Sequence, residues 1–81
     1  MAPPKLANIS LRDFRKALEQ LGCTPDTKRK GRGGHEYWRH PKATRPIVLQ
    51  THESPVPLFI VLNILRDIGV SKDKLWEVLK K

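Results

Sequence analysis

Apolar residues recur at helical spacing toward both ends of this chain, but not between them. Leu11, Phe14, Leu18 and Leu21 mark one stripe, and Leu58, Val61, Leu62, Leu65 and Ile68 mark another. Such spacing places side chains on one face of a helix. Residues 23–50 carry instead glycines, prolines and short runs of aromatic and β-branched residues, the pattern of strands joined by turns. Helices that flank strands, without βαβ alternation, predict an α+β fold with the helices on one face of a three-stranded antiparallel sheet.

The boundaries are punctuated. Ser10 is a good N-cap with Asp13 at the box position, and Ile9 and Phe14 occupy the two positions of a hydrophobic staple. Gly22 supplies the left-handed stop, so the first helix is expected over residues 11–21. Residues 23–29 are expected to form an edge strand, because Pro25 argues against a central one. A loop at 30–34 leads into a strand at 35–40, a turn at 41–44 and a return strand at 47–50. Ser54 is the expected cap of the second helix, whose first turn tolerates proline, and Gly69 ends it. Ser71 caps a short last helix, with Val70 and Leu75 as a second staple. The predicted order is α-β-β-β-α plus a short C-terminal helix. Residues 1–8 read as a flexible tail and 9–81 as one domain.

With 81 residues, the domain has a modest core and no room for a large enclosed pocket. Its chemistry belongs on a surface, which suits a polymeric substrate. Sixteen Lys and Arg stand against eight Asp and Glu, a net charge of +8. Seven of the basic residues (Lys28, Arg29, Lys30, Arg32, Arg39, Lys42 and Arg45) cluster between positions 28 and 45, against the single acid Glu36. That is the footprint of a polyanion partner. No membrane partner is expected, since no amphipathic Lys-rich helix accompanies the patch and no apolar segment is long enough to span a bilayer, and the lone Cys23 suits a cytoplasmic chain without disulfides. His35, His40, His52 and Cys23 show no zinc spacing, so neither metal nor cofactor is expected.

The stretch Gly31-Arg32-Gly33-Gly34-His35-Glu36-Tyr37-Trp38-Arg39 holds what handling RNA requires. Glycine amides at 33 and 34 with Lys28, Lys30, Arg32 and Arg39 can hold phosphate, and Tyr37 can stack on a base. His35 can take a proton from a ribose 2′-hydroxyl without a metal. Alternation groups His35, Tyr37 and Arg39 on one strand face, opposite Glu36, Trp38 and His40. The bulk of the indole favours burying Trp38 and leaving His35 outside; the reverse register would bury Tyr37. His40-Pro41 reads as a turn.

The capped helix ending Leu21-Gly22, the loop Gly33-Gly34-His35 opening an aromatic strand, and the helix carrying Asn63-Ile64-Leu65-Arg66-Asp67-Ile68-Gly69 together resemble the HicA-type (YcfA-like) toxins of toxin–antitoxin systems. The resemblance covers most of the chain, from about residue 10 to 79. It implies a double-stranded-RNA-binding-domain-like fold and a metal-independent endoribonuclease, an mRNA interferase that cleaves messenger RNA and inhibits translation. It places the catalytic histidine at His35 and implies a HicB-type antitoxin covering that site. Gly34 stands where the family loop usually has serine, and Gln50 where the second strand often has proline.

Two other classes fit the composition. One is a non-catalytic RNA-binding module of the same fold. The other is a helix-turn-helix DNA-binding protein, since residues 65–74 carry a glycine at the expected corner.

Overall fold

The computed structural model describes residues 8–26, 34–51 and 54–80. Its elements are α1 (Leu11–Gln20), β1 (Thr24–Pro25), β2 (His35–Arg39), β3 (Ile47–Gln50), α2 (Leu58–Ile68) and α3 (Lys72–Leu79). The strands form one antiparallel sheet in the order β1-β2-β3. The α+β architecture is the one the apolar spacing predicts. Most of the expected 1–8 tail falls outside the described residues.

Trp38 anchors the packing. It is 2% exposed and pairs across the hairpin with Ile47, itself buried. Glu36 pairs with the fully buried Leu49, so Glu36, Trp38, Ile47 and Leu49 share the sheet face that meets the helices. Phe14 and Leu18 of α1, Val61, Leu65 and Ile68 of α2, and Leu75 of α3 complete the core. α3 packs directly on α1. Among the described residues no helix is long and apolar enough to cross a membrane.

Glu36 is the polar residue on this apolar face, and it is fully engaged. Arg15 of α1 donates to it from Nε (3.1 Å) and from an Nη (2.9 Å), and Trp38 donates from Nε1 at 2.6 Å. One carboxylate thus ties helix to sheet and satisfies the indole N–H, which a buried tryptophan must otherwise leave unpaired.

The helix starts show both agreement and a correction. Ser10 Oγ accepts the Asp13 amide (3.1 Å), and Ser71 Oγ accepts the Lys74 amide (3.1 Å), as expected of N-caps. Ile9 and Phe14 are both buried, as a staple requires. Ser54 does not cap α2. That helix starts at Leu58 behind Pro57 without a side-chain cap. Ser54 Oγ instead accepts the Leu11 amide of α1 (3.2 Å), and the Val56 amide donates to the Ile9 carbonyl (2.8 Å). A helix leaves its first four amides without internal partners, and the chain entering α2 crosses the start of α1 closely enough to take one of them. No spacing within either helix encodes that crossing.

The sheet edges differ. Thr51 donates its amide to the Gly34 carbonyl, and Asp26 donates to the Tyr37 carbonyl (2.8 Å). Antiparallel pairs alternate between bonded and non-bonded. Glu36 and Trp38 therefore bond toward β3, and Tyr37 and Arg39 toward β1. Pro25, opposite Trp38, lies in a non-bonded pair, so its missing N–H falls on the outer edge, where proline is tolerated. The two-residue β1 is shorter than the expected strand at 23–29, of which residues 27–29 lie outside the described set.

Replacing Glu36 with Ala leaves the Arg15 guanidinium and the Trp38 N–H without their shared acceptor. Because the group is partly exposed, we expect a loss of about 1–2 kcal/mol, with Arg15→Ala costing less because the indole bond survives. Urea denaturation of the two variants measures the difference.

Candidate functional site

His35 opens β2 and is exposed, as are Arg39 on β2 and Val48 on β3, while Tyr37 is half-buried. With Trp38 buried beneath the helices, the register that puts His35, Tyr37 and Arg39 on the helix-free face is the observed one. His35 sits at a well-tied point. Its Cα partner is Gln50 on β3, and the residue before it, Gly34, accepts the Thr51 amide. The imidazole is therefore presented from a paired strand residue, at the end of the ladder away from the 40–46 turn, rather than from a loop.

Gly34 holds φ at 76°, in the left-handed region that a side chain disfavours by roughly 1–2 kcal/mol. Glycine at this point is a backbone requirement of the turn into β2 as it stands here.

The residues expected to act with His35 divide into three groups. Tyr37 is two positions along on the same face, and its ring lines a cleft beside β3. Arg39 lies at the far end of β2, four residues and thus about 13 Å from His35 along the strand. It pairs with Asp26, Nε to carboxylate oxygen at 3.0 Å, across from β1. The structure does not bring Arg39 and His35 to one phosphate. Lys28, Lys30, Arg32 and Gly33, with His52, lie outside the described residues.

Gln50, noted in the sequence only as standing in place of a proline, is the cross-strand neighbour of His35. The pair 35–50 belongs to the non-bonded set, whose Cα atoms stand about 4.5 Å apart, so the Gln50 amide is placed beside the imidazole on the same face. The signal was present in the hairpin register, which depends on both strands at once.

His40 has a structural task, as the turn reading expects. Its Nε2 lies 3.1 Å from the Leu21 carbonyl and its Nδ1 3.1 Å from the Lys42 amide. An amide can only donate, so Nδ1 accepts and Nε2–H donates to Leu21. His40 thereby satisfies a carbonyl at the end of α1 and the turn after β2 together.

Cys23 is 3% exposed, and burial pushes its thiol up to about 11. It is a core residue, and a buried neutral thiol is a poor nucleophile or ligand. Among the described residues, no three His, Cys, Asp or Glu side chains gather as a metal site would require.

Comparison with known sequences bears on this geometry. The family described as HicA toxin of bacterial toxin-antitoxin matches residues 11–70. The chain belongs to the HicA toxin family. That match spans α1, the whole sheet, α2 and the corner after it. No curated protein and no solved structure matches the chain. Membership makes this a toxin of a toxin–antitoxin system, and such a toxin has an antitoxin partner.

Three outcomes are expected for this family member. Introducing serine at position 34 (Gly34→Ser) should destabilise the chain by about 1–2 kcal/mol because of the positive φ there, read from thermal unfolding. Cys23 should resist iodoacetamide at pH 8 until denaturant is added. Because the native thiol holds its proton more tightly than the unfolded one, with a reference value of 9.0, native stability should fall as pH rises from about 9 toward 11.

Proposed function

We propose that this HicA-family toxin is a metal-independent endoribonuclease that cleaves messenger RNA, with His35 as the general base. The observation that carries the reading is an exposed histidine, held by a strand ladder on the helix-free face of a strongly basic HicA-family domain. A neutral imidazole nitrogen takes the proton of a ribose 2′-hydroxyl. The 2′-oxygen attacks the adjacent phosphorus, the bond to the 5′-oxygen breaks, and that oxygen is protonated by His52 or by water. The products are a 2′,3′-cyclic phosphate and a 5′-hydroxyl.

Charge builds on the non-bridging oxygens during attack. Lys30, Arg32 and the Gly33 and Gly34 amides are assigned to stabilise it, with Lys28 alongside on the flanking backbone. Arg39, a strand length away, is assigned to a neighbouring phosphate, and Tyr37 between them offers its ring to a base. Messenger RNA is met in the cytoplasm, and a HicB-type antitoxin covering His35 would silence the toxin.

A second reading has one observation in its favour. Residue 34 is glycine where the HicA resemblance implies serine, and without that hydroxyl the same face could bind RNA without cutting it.

Incubation of the purified chain with RNA in EDTA decides between them. His35→Ala should lower the cleavage rate by about 10²–10⁴-fold with an unchanged circular dichroism spectrum. A folded His35→Ala chain that cuts as fast as the parent removes His35 as the base. Salt-sensitive RNA binding by the parent chain with no cleavage in any buffer establishes the second reading.

A further inference from the structure

The free edge of β3 is an unprotected strand edge beside an apolar cleft. Because Glu36 and Trp38 use the bonds toward β3, the backbone groups of Val48 and Gln50 point away from β2. Among the described residues nothing hydrogen-bonds to them there. Strand edges are commonly blunted by proline, charge, a bulge or short length. The opposite edge has two such devices, Pro25 and a two-residue strand. Ile47–Gln50 has no charge and no proline, and Val48 is 41% exposed.

The space beside this edge has a shape. A cleft of about 440 Å³ runs along β3, walled by Tyr37 and Val48 on one side and by Ile60, Asn63 and Ile64 of α2 on the other. A strand added to β3 would send alternate side chains toward the helix wall and toward Tyr37. The occupant is constrained by charge. A second copy would bring together two chains of net charge +8 each, whereas an acidic segment is attracted by the chain as a whole; within the cleft Arg45 and Asp67 offset each other.

We infer that the antitoxin adds an extended, acidic segment as a fourth strand on the free edge of β3, with apolar side chains seated against Ile60 and Ile64. This rests on the toxin–antitoxin reading and specifies how the partner reaches the His35 site. Gln50 is the partner of His35, so the added strand would run about 10 Å from His35, two strand spacings away. The body attached to it would then stand over the open face.

The test uses the His35→Ala chain, so that binding is measured independently of nuclease activity, and the protein encoded by the reading frame adjoining this chain's gene. Amide hydrogen exchange at Val48 and Gln50 should be rapid in the free chain and strongly slowed in the complex. Val48→Pro removes an outward N–H and no bond to β2, so it should leave the circular dichroism unchanged and weaken the complex by about 10–100-fold. A complex in which both amides still exchange rapidly overturns strand addition while leaving the antitoxin reading intact, as does a folded Val48→Pro chain that binds with parental affinity. Slowing of these amides with rising concentration of the chain alone assigns the edge to a second copy and also overturns the proposal. Failure of the two proteins to associate overturns the antitoxin reading and the docking mode with it.

Discussion

The burial of Trp38 is the constraint on which the other features depend. An indole removes about 150–250 Å² from water, and at about 25 cal/mol/Å² that is several kcal/mol in favour of one strand face. Slipping β2 by one residue would expose Trp38 and turn His35, Tyr37 and Arg39 into the core. The penalty for that slip is what holds the histidine on the outside. Glu36 extends the same constraint: its carboxylate receives the indole N–H and the Arg15 guanidinium, so the helix that covers the sheet is oriented by the side chain that also satisfies the tryptophan.

From that anchor, polar roles sort themselves by face. On the helix side, polar groups are consumed internally: Glu36 by α1, His40 by the end of α1 and the following turn, Ser54 by the start of α1. On the open side stand His35, Gln50 and Arg39, with Arg39 drawn toward Asp26. Two histidines five residues apart on one strand and its turn thus have opposite tasks. His40 has both ring nitrogens occupied by backbone groups, whereas His35 is exposed beside a cross-strand amide. The asymmetry of the sheet edges follows from the same ladder phase, which turns Pro25 outward on β1 and leaves the backbone of Val48 and Gln50 outward on β3.

Much of this was legible in advance where the signal is local. Ser10, Ser71, Gly22 and Gly69 mark helix limits through their own backbone needs, and the predicted ends agree with the structure to within a residue at α1 and β3. Ser54 was misread because its partner is an amide 43 residues earlier in sequence, and a capping residue looks the same whichever helix it serves. Strand parity and positive charge together group Arg39 with His35. Parity reports a shared face but not distance along it, and it is silent on Asp26.

What the sequence determined by itself was the class: flanking helices imply an antiparallel sheet, and Gly34-His35 opening an aromatic strand carries the HicA resemblance. Among the described residues, the tertiary structure decided which strand face is buried, which of His35 and His40 is exposed, and which sheet edge is open. Those are properties of pairings between distant segments. A period of two in a strand leaves both faces equivalent until a core forms against one of them.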